Sequence, residues 1–63
     1  MEYPKLKAKR VEHGLTQADL ADKLGVDIST YNAKEQGKRD FTIKEILQLL
    51  NILQCKFEDI FLK

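Results

Sequence analysis

The sequence predicts an all-α fold of about five short helices, and two observations point to it. No stretch alternates apolar and polar residues between turn residues as the strands of a half-buried sheet do, whereas several stretches repeat apolar residues at helical spacing. The chain has 63 residues, which is enough for one small hydrophobic core. We therefore expect residues 1–63 to form one domain, a compact bundle of helices.

The first predicted helix begins at Pro4 and ends near His13. Proline suits the first turn of a helix, and Gly14 can adopt the left-handed backbone that often follows the last turn. Apolar residues are few in this segment, so the helix is only weakly amphipathic.

Two further helical patterns follow with little chain between them. Thr16 precedes the second pattern, and its hydroxyl can accept hydrogen bonds from amides of the first turn. Gly25 ends that helix, and Asp27 can cap the next, which runs to about Gln36 before Gly37. A Gly-Val-Asp junction leaves the two helices no room to lie antiparallel. We therefore expect them to cross steeply, with one projecting outward.

The fourth pattern is the strongest and is expected to form the spine of the core. It opens with Thr-Ile-Lys-Glu from Thr42 to Glu45, which has the spacing of a capping box. Five apolar residues fall on one face of this helix and are expected to be buried: Ile43, Ile46, Leu47, Leu50 and Leu53. A short terminal helix from Phe57 to Phe61 is expected to fold back on it.

Composition narrows the class of function. Basic residues outnumber acidic ones by only 11 to 10, and the excess lies before Asp40. One cysteine and one histidine are too few for a disulfide framework or a structural zinc site. The N-terminal sequence MEYPKLKAKR lacks the apolar run of a signal peptide, and no stretch is long enough to span a membrane. We expect a cytoplasmic protein that does not associate with a membrane and binds no cofactor or small-molecule ligand.

The projecting third helix has two unlike sides. Relative to Tyr31, Glu35 lies at ~40° around the helix axis, whereas the side at ~100–200° carries short polar residues and a methyl group. These are Ser29, Asn32, Ala33 and Gln36. Lys38 and Arg39 follow at the far end of the helix, and together these features match what entry into a DNA major groove requires. No nucleophile-base pair, carboxylate cluster or glycine-rich phosphate loop indicates an enzyme.

These residues resemble a known family, the helix-turn-helix regulators of the phage Cro and CI repressor type, also called XRE-like. The shared marks are Leu15-Thr16-Gln17, Leu20-Ala21, Leu24-Gly25-Val26, Thr30, Glu35 and Gly37-Lys38-Arg39. The resemblance extends from about Leu6 to Phe61, and it implies a lambda repressor-like DNA-binding domain whose helix-turn-helix core spans about residues 16–37.

The resemblance also implies a role for individual residues. Gln17 falls where the family places a residue that caps the second helix against a DNA phosphate. The positions that face bases are occupied by Ile28, Ser29, Asn32 and Ala33. The positions that contact the DNA backbone are occupied by Gln36, Lys38 and Arg39. Arg10 and Glu35 match a pair that bridges the first and third helices in lambdoid repressors.

The chain departs from the family pattern at three positions. Lys34 stands where an apolar residue is usual, so we expect its stem to pack while its ammonium reaches solvent and adds a phosphate contact. Gln54 stands where a glycine is common, and Lys56 where a serine or threonine often caps the last helix.

The expected function is sequence-specific binding of double-stranded DNA by a transcriptional regulator, a repressor that acts by operator occlusion. The alternative is a protein-interaction module on the same fold, such as an antitoxin or a phage accessory protein. A salt-dependent shift of duplex DNA separates the two classes.

A weak homodimer is also expected, because one short recognition helix reads only a few base pairs. Two copies related by a two-fold axis require a near-palindromic operator. On the fourth helix, Ile52 lies away from the predicted buried face. The closing Phe61-Leu62-Lys63 is expected either to cover this apolar surface within the monomer or to offer, with Ile52, a small patch to a second copy.

Overall fold

Five α-helices make up the computed structural model, which describes residues 3–61 and contains no β-strand within that range. They are α1 (Pro4–Glu12), α2 (Gln17–Leu24), α3 (Ile28–Glu35), α4 (Ile43–Leu53) and α5 (Phe57–Ile60). The predicted all-α bundle is confirmed. The longest of these helices has 11 residues, and no helix among residues 3–61 is long and apolar enough to cross a membrane.

Two capping boxes start α2 and α4. Thr16 Oγ1 accepts a hydrogen bond from the Asp19 amide at 3.0 Å, while the Asp19 carboxylate accepts from the Thr16 amide at 2.8 Å. Thr42 and Glu45 repeat the arrangement at 3.1 Å and 2.9 Å. Each box satisfies amides that have no partner inside the helix, so both predicted helix starts are confirmed.

The ends of α2 and α4 use the same left-handed backbone with different residues. Gly25 ends α2 at φ 74°, as predicted, whereas Gln54 ends α4 at φ 51°. Glutamine adopts this conformation at a cost that glycine avoids, because its Cβ approaches the following carbonyl. Beyond it, α5 forms despite Lys56 at its start, because the Asp59 carboxylate accepts from the Lys56 amide at 2.9 Å.

The core draws at least one side chain from each helix. Its buried members are Leu6, Leu20, Ala21, Tyr31, Phe41, Leu49, Leu53 and Ile60. Tyr3 before α1, Phe41 before α4 and Phe61 after α5 pack their rings together with centroids 5.2–6.0 Å apart.

The buried face of α4 differs from the predicted one. Leu49 is fully buried, whereas Ile43 and Leu47 are 78% and 61% exposed. The prediction of Ile43 and Leu47 as part of the core spine is therefore wrong. Apolar residues surround most of this helix, so their spacing alone does not define one face. Glu45 instead faces inward and bonds to Lys34, and Ile43 and Leu47 lie on the other side of the helix, toward solvent.

Candidate nucleic-acid interface

The junction between α2 and α3 is only three residues long. Gly25 turns the chain, and the Val26 amide donates to the Ala21 carbonyl at 3.0 Å. Ala21 is buried, and its small side chain permits close approach of the two helices. The two helices and this short junction together span residues 17–35.

The inward side of α3 fixes which residues face outward. Its buried residues are Tyr31, Lys34 and Glu35. On the opposite side, Ser29 and Gln36 are exposed. Ile28 is 49% exposed beside them, and the predicted base-facing residues Asn32 and Ala33 are half-buried at the edges of this surface.

An ion pair between Arg10 and Glu35 joins α1 to α3. Arg10 Nε donates to Glu35 Oε2 at 3.1 Å, and Arg10 Nη2 donates to Glu35 Oε1 at 3.2 Å. Arg10 Nη1 also donates to the Leu15 carbonyl at 3.0 Å. The bidentate geometry satisfies both buried charges, and it confirms the pair that the resemblance implies.

Lys34 forms a second buried ion pair, with Glu45 on α4. Lys34 Nζ lies 2.7 Å and 2.8 Å from the two Glu45 carboxylate oxygens, and each residue is 7% exposed. Burial alone raises the pKa of Glu45, but hydrogen bonds from Lys34 and the Thr42 amide outweigh it and hold that pKa below its ordinary value. The prediction that the Lys34 ammonium reaches solvent and contacts a phosphate is wrong, because an inward carboxylate holds it.

Asp27 lies at the N-terminus of α3, where it was expected to cap the helix amides. Its side chain makes no such bond, and the carboxylate instead accepts from the hydroxyls of Ser29 (2.5 Å) and Thr30. Those two hydroxyls hold the pKa of Asp27 below its ordinary value. The sequence pattern predicts Asp27 only as a cap and does not predict the negative charge held beside Ser29. An acidic residue followed by hydroxyls two and three positions later was the available signal.

Gln17 lies at the start of α2, with its side chain directed toward α3. Its Nε2 donates to Glu35 Oε1 at 3.4 Å. An open depression of about 390 Å³ begins here, and Lys7 and Gln36 are among the residues that line it. Lys7 was absent from the predicted site, although it is a basic residue one turn before Arg10.

The Asn32 side chain is not arranged for base contact in this conformation. Its Oδ1 atom is buried and has no hydrogen-bond partner among the described residues. Bidentate recognition of adenine needs both Oδ1 and Nδ2, so it requires the side chain to rotate outward. An unpaired buried oxygen is unfavourable, which lowers the cost of that rotation.

The basic loop after α3 folds back onto the helix end. The amides of Lys38 and Arg39 both donate to the Ala33 carbonyl, at 2.9 Å and 3.3 Å. Both basic residues are exposed, and they follow the last residue of α3 by three and four positions. Among residues 3–61, no group of three or more histidine, cysteine, aspartate and glutamate side chains is placed to hold a metal ion.

Comparisons with known proteins agree with this geometry. The sequence pattern of the helix-turn-helix family matches residues 6–60. A protein of Methanocaldococcus jannaschii, named as an uncharacterized HTH-type transcriptional regulator, is 47% identical over 58 residues, which cover 92% of this chain and 88% of that protein.

Two solved structures are also similar. The restriction-modification controller protein C.AhdI from Aeromonas hydrophila superimposes with a TM-score of 0.74 and 31% identity, covering 87% of this chain and 83% of that one. The controller protein C.Esp1396I gives a TM-score of 0.68 and 32% identity, covering 84% and 69%. The chain belongs to the XRE family of helix-turn-helix proteins, which are DNA-binding transcriptional regulators and not enzymes.

Proposed function

We propose that residues 1–63 act as one helix-turn-helix domain that reads operator DNA with α3 in the major groove. The observation that carries this proposal is the division of α3 into two sides. Tyr31, Lys34 and Glu35 are buried against the bundle, while Ser29 and Gln36 face solvent. A helix held on one side and polar on the other is suited to insertion between the two DNA backbones.

In this docking, the residues that face bases are Ile28, Ser29, Asn32 and Ala33. Asn32 can bind adenine, Ser29 can bond to either kind of base, and the apolar groups of Ile28 and Ala33 can contact thymine methyls. The operator is therefore expected to favour A·T pairs at these positions. The residues that contact the DNA backbone are Gln17, Gln36, Lys38 and Arg39.

We propose that the domain represses transcription by occupying a promoter in place of polymerase. The relatives support regulation at DNA: one is an HTH-type transcriptional regulator, and two are restriction-modification controller proteins. Because this function is exercised on cellular DNA, the proposed place of action is the cytoplasm.

A weak homodimer on a near-palindromic operator completes the proposal. Ile43 and Leu47 lie one turn apart on α4, and both are largely exposed. We propose these two residues as the dimer patch in place of the patch predicted around Ile52. Ile52 packs against the core, and Leu62 lies outside the described residues. A two-fold dimer that reads two half-sites on one face of DNA needs its recognition helices ~34 Å apart, one turn of DNA.

Selection of bound duplexes from a random DNA pool tests this function. The purified chain is expected to enrich a near-palindromic sequence with half-sites one helical turn apart, with affinity that falls as salt rises. Failure to enrich any duplex at low salt would contradict DNA recognition by this chain. Sedimentation of the double variant Ile43→Lys with Leu47→Lys on the enriched duplex tests the dimer. If the two residues form the dimer contact, the variant should no longer bind the two half-sites as a pair. The exposed pair Val11→Lys with Glu12→Gln serves as a surface control.

A further inference from the structure

Two ion pairs hold the inner side of α3, one on each side of buried Tyr31. Relative to buried Tyr31, Glu35 lies ~40° to one side around the helix and Lys34 ~60° to the other. Glu35 bonds to Arg10 on α1, whereas Lys34 bonds to Glu45 on α4. Rotation of α3 about its axis in either direction would therefore stretch one of the two ion pairs.

The pair on the α4 side leaves little freedom of movement. Glu45 Oε1 accepts from Lys34 Nζ at 2.7 Å and also from the Thr42 amide at 2.9 Å. The Thr42 amide thus fixes the Glu45 carboxylate to the start of α4, and the Lys34 ammonium binds this fixed carboxylate. Apolar contacts are not directional, so an apolar residue at position 34 would allow α3 to roll more easily.

We propose that Lys34 and Glu45 are positioning residues for DNA binding, because their buried ion pair fixes the rotation of α3 about its own axis. The inference rests on the proposed docking of α3 in the major groove. A roll of ~20° moves the tip of an outer side chain by ~2 Å at the radius of a helix with its side chains. That displacement exceeds what the geometry of a hydrogen bond to a base edge tolerates. Contacts to phosphates by flexible basic side chains tolerate it.

The test uses the variant Lys34→Met with Glu45→Gln. Methionine fills the space of the lysine stem, and glutamine at the third helix position preserves the capping box with Thr42. Replacing both charges together avoids leaving one buried and unpaired, so the variant is expected to remain folded. Affinity is measured for the enriched duplex and for a scrambled duplex of the same length, with melting followed by circular dichroism.

The ratio of cognate to scrambled affinity is expected to fall by about tenfold, the loss of one good base contact, while affinity for the scrambled duplex stays the same. Lys34→Arg keeps an ion pair with Glu45 and is expected to retain the parent ratio. The matched control, Lys9→Met with Glu12→Gln, removes an exposed ion pair of 3.9 Å and is expected to change neither affinity.

A folded double variant with the parent ratio would overturn the proposal, since the pair would then be structural only. Should that variant not fold, Lys34→Leu with Glu45→Gln, which also removes the ion pair and leaves an apolar side chain at position 34, is judged by the same ratio. Unfolding of both would also overturn it, because the pair would then be needed for stability rather than for position. Failure of the parent chain to enrich any duplex is a separate result that contradicts the proposed function itself.

Discussion

Arg10 and Glu35 lie 25 residues apart in the chain and form a bidentate ion pair with almost no exposure to solvent. Glu35 also accepts from Gln17, so one carboxylate connects α1, α2 and α3. The orientation of α3, the proposed recognition helix, therefore depends on a charge pair formed with α1.

Glu35→Ala is expected to destabilise the fold severely. It leaves the Arg10 guanidinium buried without its partner, and breaking a buried pair in this way costs ~3–5 kcal/mol, a large share of the stability of a small domain. Melting temperature and DNA affinity should fall together. Glu12→Ala, which removes only an exposed partner of Lys9, is the control. A Glu35→Ala variant that melts like the parent would show that the pair adds nothing.

Replacing both Lys38 and Arg39 with alanine is expected to weaken binding to all duplexes alike. The two exposed cations lie beside α3, and loss of one or two phosphate contacts lowers the slope of log affinity against log salt by about one to two. Titration of cognate and scrambled duplexes over a range of salt measures that slope. Lys44→Ala with Lys56→Ala, on and beyond α4, should leave it unchanged. An unchanged slope in the first variant would place the phosphate contacts elsewhere.

Asn32→Ala is expected to relax one base position in the operator. The side chain must rotate to expose its buried Oδ1 before it can bind adenine, and the contact so formed contributes ~1–3 kcal/mol of discrimination. Binding to duplexes substituted at each position in turn identifies the base. Equal weakening on cognate and scrambled DNA would mean that Asn32 does not read a base.

Gln54→Gly is expected to stabilise the protein. Gln54 has φ 51°, and a glycine there relieves a left-handed backbone cost of ~1 kcal/mol. In a domain of this size that gain raises the melting temperature by about 4 °C or more. Gln48→Gly, within α4, should lower it by a comparable amount. No rise in Gln54→Gly would show that the glutamine is not strained.

The stabilising effect of Glu45 is expected to disappear in acid. Its pKa is lower in the folded protein than its ordinary value, so the unfolded chain binds more protons in the interval between the two. The contribution is complete above the ordinary pKa of a glutamate and is lost as the pH falls through the lowered folded value. Urea unfolding of the parent and Glu45→Gln should therefore differ at neutral pH and converge in acid. A constant difference would contradict the assignment.

Local signals predicted much of this fold, whereas contacts between distant residues were harder to predict. The capping boxes at Thr16 and Thr42 each lie within four residues, so the sequence defines them directly. Lys34 and Glu45 are 11 residues apart across the basic loop, and no periodicity links them.

The same limit explains why one prediction was wrong and why a second feature was not predicted. The side of α4 that faces the core carries Glu45 of that distant pair, so Ile43 and Leu47 face solvent. The burial of Asn32 Oδ1 likewise depends on how α3 rests on the bundle. The outer face of α3 could be predicted because Tyr31 and Glu35 mark its inner side at helical spacing.

The Asp27 carboxylate has a consequence for how such a protein would find its operator. It is a fixed negative charge at the tip of the proposed recognition helix, next to Ser29. In the proposed docking of α3, this charge would approach phosphates and would weaken binding to every sequence by a similar factor. A protein with weaker attachment to unrelated DNA leaves each wrong site sooner, and more of its copies remain free to reach the correct one. The negative charge would thus shorten the target search, at the expense of some affinity for the operator itself.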